Sequence, residues 1–150
     1  MNQIDFKILS PLAKLPVLAT PNSAGFDLSA SVDCEVPPGS IAMVPTGLAF
    51  ALPIGYVGLI CPRSGLAKKH GITVANAPGI IDADYRGEIC VLLLNTSTTN
   101  FSVATGDRIA QMVITSVSTG LEFCQVVELD ETVRGTGGFG SSGVSALITG

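Results

Sequence analysis

The chain has 150 residues, enough for one domain built around one core. Its formal net charge of −4 argues against a general nucleic-acid binder, and only 13% of its residues are charged, few for a subunit that stands alone in water. Hydrophobic residues make up 47%, so burial is ample for folding, and part of the surface is expected to be hidden in subunit contacts.

The N-terminal stretch MNQIDFKILSPLAKLPVLAT is interrupted by Lys and Pro and has no unbroken apolar stretch, so it does not read as a secretory signal. No apolar run in the chain is long enough to span a membrane as a helix. Residues 40–52, SIAMVPTGLAFAL, are apolar and β-branched between PPG and PIG and predict a strand. Further strands are predicted over 56–62, 88–95, 108–117 and 121–129, separated by clusters of Gly, Asn, Ser and Asp. This spacing of short strands and turns predicts an all-β domain of sandwich, jelly-roll or barrel-like type. There is no internal repeat and no domain linker.

One short helix is predicted in RSGLAKKHG. Ser64 suits its N-cap, Lys68, Lys69 and His70 suit its last turn, and Gly71 suits its stop. A helix starting there aims N–H groups outward beside Arg63, which suits an anion. On this segment alone an ordinary capped surface turn is the better reading. The four arginines, Arg63, Arg86, Arg108 and Arg134, all lie in glycine-containing patterns (PRSG, DYRG, GDR, RGTGG). The four cysteines, Cys34, Cys61, Cys90 and Cys124, show no C-x-x-C spacing and sit among apolar residues. They read as buried free thiols, in a reducing compartment, rather than as zinc ligands or disulfides.

Residues 76–89, NAPGIIDADYRGEI, look like a hairpin. Turn acids are usually only turn formers. Asp82, however, follows Ile80 and Ile81, which sets a carboxylate beside an apolar wall. A carboxylate so placed serves as a general base when it reaches a water near a substrate. After Leu129 the apolar periodicity stops and Gly and Ser take over, which divides the chain into a core over 1–133 and a flexible arm over 134–150. The arm carries one cation, Arg134, and one ring, Phe139, in RGTGGFGSSG.

Five separated segments, AGFDLSA (24–30), PRSGLA (62–67), GIIDADYRGEI (79–89), GDRIAQMVI (106–114) and RGTGGFGSSG (134–143), resemble in order and spacing the five motifs of the trimeric dUTP pyrophosphatases, or dUTPases. The resemblance covers nearly the whole chain. It implies an all-β, jelly-roll-like β-clip subunit and a homotrimer whose three active sites lie between subunits. The implied reaction is hydrolysis of dUTP to dUMP and pyrophosphate, which keeps uracil out of DNA and supplies dUMP for thymidylate synthesis. Asp82 matches the general base that primes water for in-line attack on the α-phosphorus, and Gln111 matches a side chain approaching the phosphates. Arg63, Ser64 and Gly65 match the phosphate-binding second motif. The resemblance further implies that main-chain groups around Ile80, Ile81 and Cys90 read uracil with help from Asn76, and that Tyr85 packs on deoxyribose. Arg134 meets phosphate, Phe139 stacks on uracil, and Gly140, Ser141 and Ser142 wrap the γ-phosphate. Magnesium (Mg2+) is implied as the cofactor, held mainly by the substrate phosphates, with Asp27 either near the metal's waters or in a structural ion pair. Arg108 reads as a structural brace and His70 as a packed or capping residue.

The chain departs from the family pattern at Phe26, where Tyr is common, and in its extension VSALITG beyond Gly143. The same fold also hosts dCTP deaminases, and a non-catalytic dUTP-binding regulator is a further alternative; intact Asp82, Gln111 and Phe139 speak against the latter. The implied location is cytoplasmic, with a nuclear or virus-encoded protein also compatible, and neither nucleic acid nor membrane is an expected partner.

Overall fold

The computed structural model describes residues 3–138. The chain divides into two compact units, Met1–Thr119 and Gly120–Gly150. All regular structure among the described residues belongs to the first. Its twelve strands are β1 (Asp5–Ile8), β2 (Val17–Leu18), β3 (Gly25–Ser29), β4 (Cys34–Val36), β5 (Ile41–Pro45), β6 (Leu48–Ala51), β7 (Tyr56–Cys61), β8 (Ile72–Val74), β9 (Gly79–Ile81), β10 (Cys90–Asn95), β11 (Phe101–Val103) and β12 (Arg108–Ser116), with one helix, α1 (Ser64–His70). The strands form four small sheets in the orders β1-β6, β5-β10-β8, β11-β4 and β2-β3-β12-β7-β9, and every pairing is antiparallel. This is the all-β, jelly-roll-like architecture expected from the sequence.

The core follows from alternation along the strands. In β10, CVLLLN, Val91, Leu93 and Asn95 point inward while their neighbours are only half buried. They join Leu28, Val44, Leu48, Ile72, Ile89 and Ile109 in one buried cluster around which the sheets close. Asn95, fully buried, is tolerated because its amide donates to Val36 O and Thr99 O at 2.8 Å each, and its carbonyl accepts from Ser97.

Four local expectations are corrected. The strand predicted over 40–52 is two strands, because Gly47 turns the chain with φ +72° between β5 and β6. The helix does not use Ser64 as its cap. Arg63 occupies the N-cap position with extended backbone and no side-chain capping bond, and Ser64 is the first helical residue. Gly71 does end the helix, in the left-handed conformation (φ 65°), and its N–H donates to Ala67 O. The arms of the expected 76–89 hairpin do not pair with each other. Its stem is β8 on β10, extended by Ala75 N–H to Leu92 O, while β9 departs to pair with β7. Finally, among the described residues no strand follows Ser116, so the strand predicted over 121–129 is absent.

That last segment opens the second unit. Its apolar side chains find no cover: Phe123 and Val127 are fully exposed, as is Val133. Alternating apolar residues supply a strand's pattern but not its ladder partner. Cys124 shares this exposure and so departs from the expected burial, whereas Cys34, Cys61 and Cys90 are half buried, all four being free thiols. At the end of the described chain, Arg134 closes a tight turn, its Nε donating to Gly137 O at 2.8 Å.

Candidate active site

The expected site residues of the first unit fall into two clusters. The first is built on β12, which carries Gln111 and the brace Arg108 and is paired on one side with β3 and on the other with β7. Its register sets Gln111 opposite Asp27 on β3 and Cys61 on β7. Gln111 Nε2 donates to Pro62 O at 3.0 Å, which ties the strand to the turn that starts α1. Gly25 makes room for this side chain, since a Cβ there would stand 2.7 Å from Gln111 Oε1.

Asp27, 8% exposed, is shared between two arginines. Arg63 Nε lies 3.0 Å from Oδ1 and Arg108 Nη1 3.0 Å from Oδ2. Arg63 Nη1 also donates to Arg108 O at 2.9 Å, so the two cations are locked to one frame. The ion-pair alternative for Asp27 is therefore the observed one, and Arg108 is the expected brace. Two guanidiniums against one carboxylate leave the cluster with a positive surplus, at the entry to the helix that carries Ser64 and Gly65. Such a frame is suited to phosphate oxygens.

The second cluster lines a cleft of about 390 Å³ bordered by β9, the start of β10 and Met43 of β5. Asn76, Ile80, Ile81, Asp82, Tyr85 and Cys90 all face it. Asp82 is exposed at its rim, and among the described residues its carboxylate has no hydrogen-bond or ion-pair partner. The carboxylate also borders a neighbouring apolar groove with Ile80 and Leu59, so it stands beside the apolar wall its sequence neighbours predicted. The Tyr85 hydroxyl donates to Glu88 O at 3.0 Å, and Tyr85 N–H donates to Asp82 O at 3.2 Å, which folds 82–88 into a compact turn. Cys90, half buried, lines the cleft as well. Burial, with the Glu88 carboxylate adding to it, pushes its thiol above the ordinary range.

The two clusters share no residue. Arg134 lies in the second unit, and Phe139, Gly140, Ser141 and Ser142 lie outside the described residues. His70 is exposed, its ring tilted against that of Phe101 at a centroid distance of 5.4 Å. Met43 and Glu88 also line the cleft and were not singled out by sequence reasoning. Glu88 stands inside the motif GIIDADYRGEI, but its partner, the Gly47 N–H at 2.8 Å, is 41 residues away and leaves no local signal.

The family model for dUTPase matches residues 12–143. The chain belongs to the dUTPase family. Among relatives of this dUTPase, the deoxyuridine 5'-triphosphate nucleotidohydrolase of Wolinella succinogenes is 54% identical over 137 residues, covering 91% of each chain. That of Desulfitobacterium hafniense is 52% identical over 152 residues, covering 97% of this chain and all of the relative. The dUTPase fold is matched closely by a variant of the Staphylococcus bacteriophage 80alpha dUTPase solved with dUpNHpp, at a TM-score of 0.90 and 29% identity, covering 96% of this chain and 100% of the other. A variant dUTPase from S. aureus phage phi11, whose structure coordinates a structural Mg(II) ion, aligns at a TM-score of 0.78 and 26% identity, covering 85% of this chain and 98% of the other.

Proposed function

We propose that this dUTPase hydrolyses dUTP to dUMP and pyrophosphate, with Asp82 as the general base. The observation that carries the reading is the cleft itself, which brings the free Asp82 carboxylate together with Asn76, Ile80, Ile81, Tyr85 and Cys90 in a chain of this family. Asp82 orients a water and takes its proton as the water attacks the α-phosphorus in line. Main-chain groups of β9 and the start of β10 read the uracil edge, and Asn76 assists. Cytosine exchanges donor for acceptor on that edge and leaves buried groups unpaired, a penalty that reaches roughly 10⁴–10⁵-fold in rate. Tyr85 packs on the sugar and excludes a 2′-hydroxyl.

The triphosphate is received by Arg63, Ser64, Gly65 and Gln111 of the first cluster. Arg134, Phe139, Gly140, Ser141 and Ser142 of the arm close over it. The donor set fits magnesium carried by the substrate. Both Asp27 oxygens are already engaged by arginines, and the described residues contain no group of three His, Cys, Asp or Glu suited to a metal ion. The chemistry magnesium supplies when bound with the triphosphate is charge neutralisation and a fixed phosphate coil. Asp27 then contributes at most through water, while its main task is to hold Arg63 and Arg108.

We further propose a homotrimer in which the cleft of one subunit faces the arginine frame of the next. What supports it is that the clusters share no residue, and that Phe6, Ile8, Ile41, Met43 and Ile54 are about half exposed or more. The free cysteines favour the cytoplasm. Among the described residues no helix is long and apolar enough to cross a membrane. The test is pyrophosphate and ammonia release from each deoxynucleoside and ribonucleoside triphosphate. Pyrophosphate from dUTP alone is expected. Ammonia from dCTP identifies a deaminase instead, and tight dUTP binding without turnover identifies a regulator.

A further inference from the structure

The turn that carries Tyr85 is tied to a turn distant in sequence. Glu88, three residues on, lines the same cleft with a half-buried side chain whose Oε1 accepts the Gly47 N–H at 2.8 Å. The same turn between β5 and β6 grips the next residue as well. Thr46 N and Oγ1 donate to Ile89 O at 3.1 and 2.7 Å, and Ile89 N donates to Leu48 O at 2.8 Å. Gly47 is itself pinned, its carbonyl accepting from Leu9 N at 2.7 Å. There is no slack on that side, because a Cβ at Gly47 would stand 2.7 Å from Ser10 Cβ and 2.8 Å from Ala13 Cβ.

On the cleft side, the Tyr85 hydroxyl donates to the main-chain carbonyl of Glu88 itself. Gly87, between them, is bare beneath the ring, and a Cβ there would collide with the phenol. The position of the Tyr85 ring is therefore fixed by the position of the Glu88 backbone. That backbone is tied in turn by a carboxylate bond to a turn whose main chain is itself hydrogen-bonded to Leu9 and Ile89.

We infer that Glu88 is a positioning residue: by gripping the turn between β5 and β6 it sets the Tyr85 ring, and through it the preference for a 2′-deoxy sugar. The inference rests on the proposed packing of Tyr85 against the sugar and adds the element that aims it. Glu88 touches no reacting atom. Its loss relaxes the fit of the sugar, a ground-state effect, so it acts on KM and selectivity before kcat. The Gly47 N–H needs an acceptor and not a charge, so glutamine at position 88 serves in place of glutamate.

The experiment measures pyrophosphate release from dUTP and UTP by the full-length protein and by Glu88→Ala, Glu88→Gln, Tyr85→Phe and the double variant Glu88→Ala/Tyr85→Phe. Glu88→Ala is expected to raise KM for dUTP about tenfold, leave kcat within about threefold, and lower the dUTP-to-UTP preference about tenfold. Glu88→Gln is expected to behave as wild type. Tyr85→Phe, which keeps the ring and removes its tie to Glu88, should lose preference similarly, and the double variant should lose little more, since both changes free one ring. Should Glu88→Ala fail to fold, Tyr85→Phe and Glu88→Gln still decide. Unchanged preference in Tyr85→Phe, or glutamine as damaging as alanine, overturns the inference. Lost preference in Tyr85→Phe with none in Glu88→Ala overturns it while leaving the sugar platform standing. A wild-type protein that does not discriminate dUTP from UTP removes the reading on which both depend.

Discussion

Replacing Asp27 with asparagine keeps the size of the side chain and removes its charge. Two contacts of 3.0 Å are affected, one to each arginine. The asparagine oxygen still accepts from an arginine that stays ionised, so that contact keeps its hydrogen bond and loses only the charge–charge attraction, roughly 1 kcal/mol. The asparagine also turns an NH2 toward one guanidinium, donor against donor, which leaves that group unpaired for about 1–3 kcal/mol more. The Arg108 side chain is 51% exposed, against 26% for Arg63, so solvent replaces much of what Arg108 loses. The sum expected for Asp27→Asn is about 2–4 kcal/mol, most of it on the Arg63 side. Equilibrium urea unfolding at one fixed protomer concentration measures it, because the stability of an oligomer depends on that concentration. Arg108→Gln should cost less than Arg63→Gln. A loss below about 0.5 kcal/mol for Asp27→Asn, or the reverse order of the two arginines, refutes the buried-frame argument.

Asp82→Asn is expected to bind dUTP and lose turnover by about 10²–10⁴-fold, read by calorimetric binding beside pyrophosphate release; near-normal turnover removes Asp82 from its role. Deleting residues 134–150 should leave a folded protein with little activity, and Phe139→Ala should be milder than the deletion; a fully active truncation disproves the arm's closure. The raised Cys90 thiol should make its alkylation by iodoacetamide at pH 8 slower than that of the same cysteine in the urea-unfolded chain, as followed by peptide mass. Because the folded thiol keeps its proton to higher pH than the unfolded one, its contribution to stability is present below the unfolded value and is lost as pH rises through the folded one. Equal alkylation rates in both states count against that environment.

The strands at 56–62, 88–95 and 108–117 were legible because apolar alternation and glycine punctuation are local properties, and all three are interior strands of their sheets. The cleft residues Ile80, Ile81, Asp82 and Tyr85 were legible through one motif, with Asn76 and Cys90 flanking it, and the fold lines one cleft with them. What stayed hidden was long-range. The break at Gly47 comes from a turn packed against Ser10 and Ala13 of a distant segment. The cap at Ser64 failed because the preceding Arg63 takes the N-cap position while its side chain is committed to Asp27. The 121–129 segment carries a strand's composition, yet among the described residues it forms no ladder, and nothing in its own residues announces that.

The five-stranded sheet ends on β9, whose outer margin has no neighbouring strand among the described residues. If a pyrimidine is matched there by peptide groups, the identity of the side chains at Ile80 and Ile81 is secondary to where the ribbon runs. Drift at those positions then leaves the preferred base unchanged. Retargeting such an enzyme to another nucleobase requires shifting a whole border of the sheet relative to β7, a change that point mutations in the cleft do not reach.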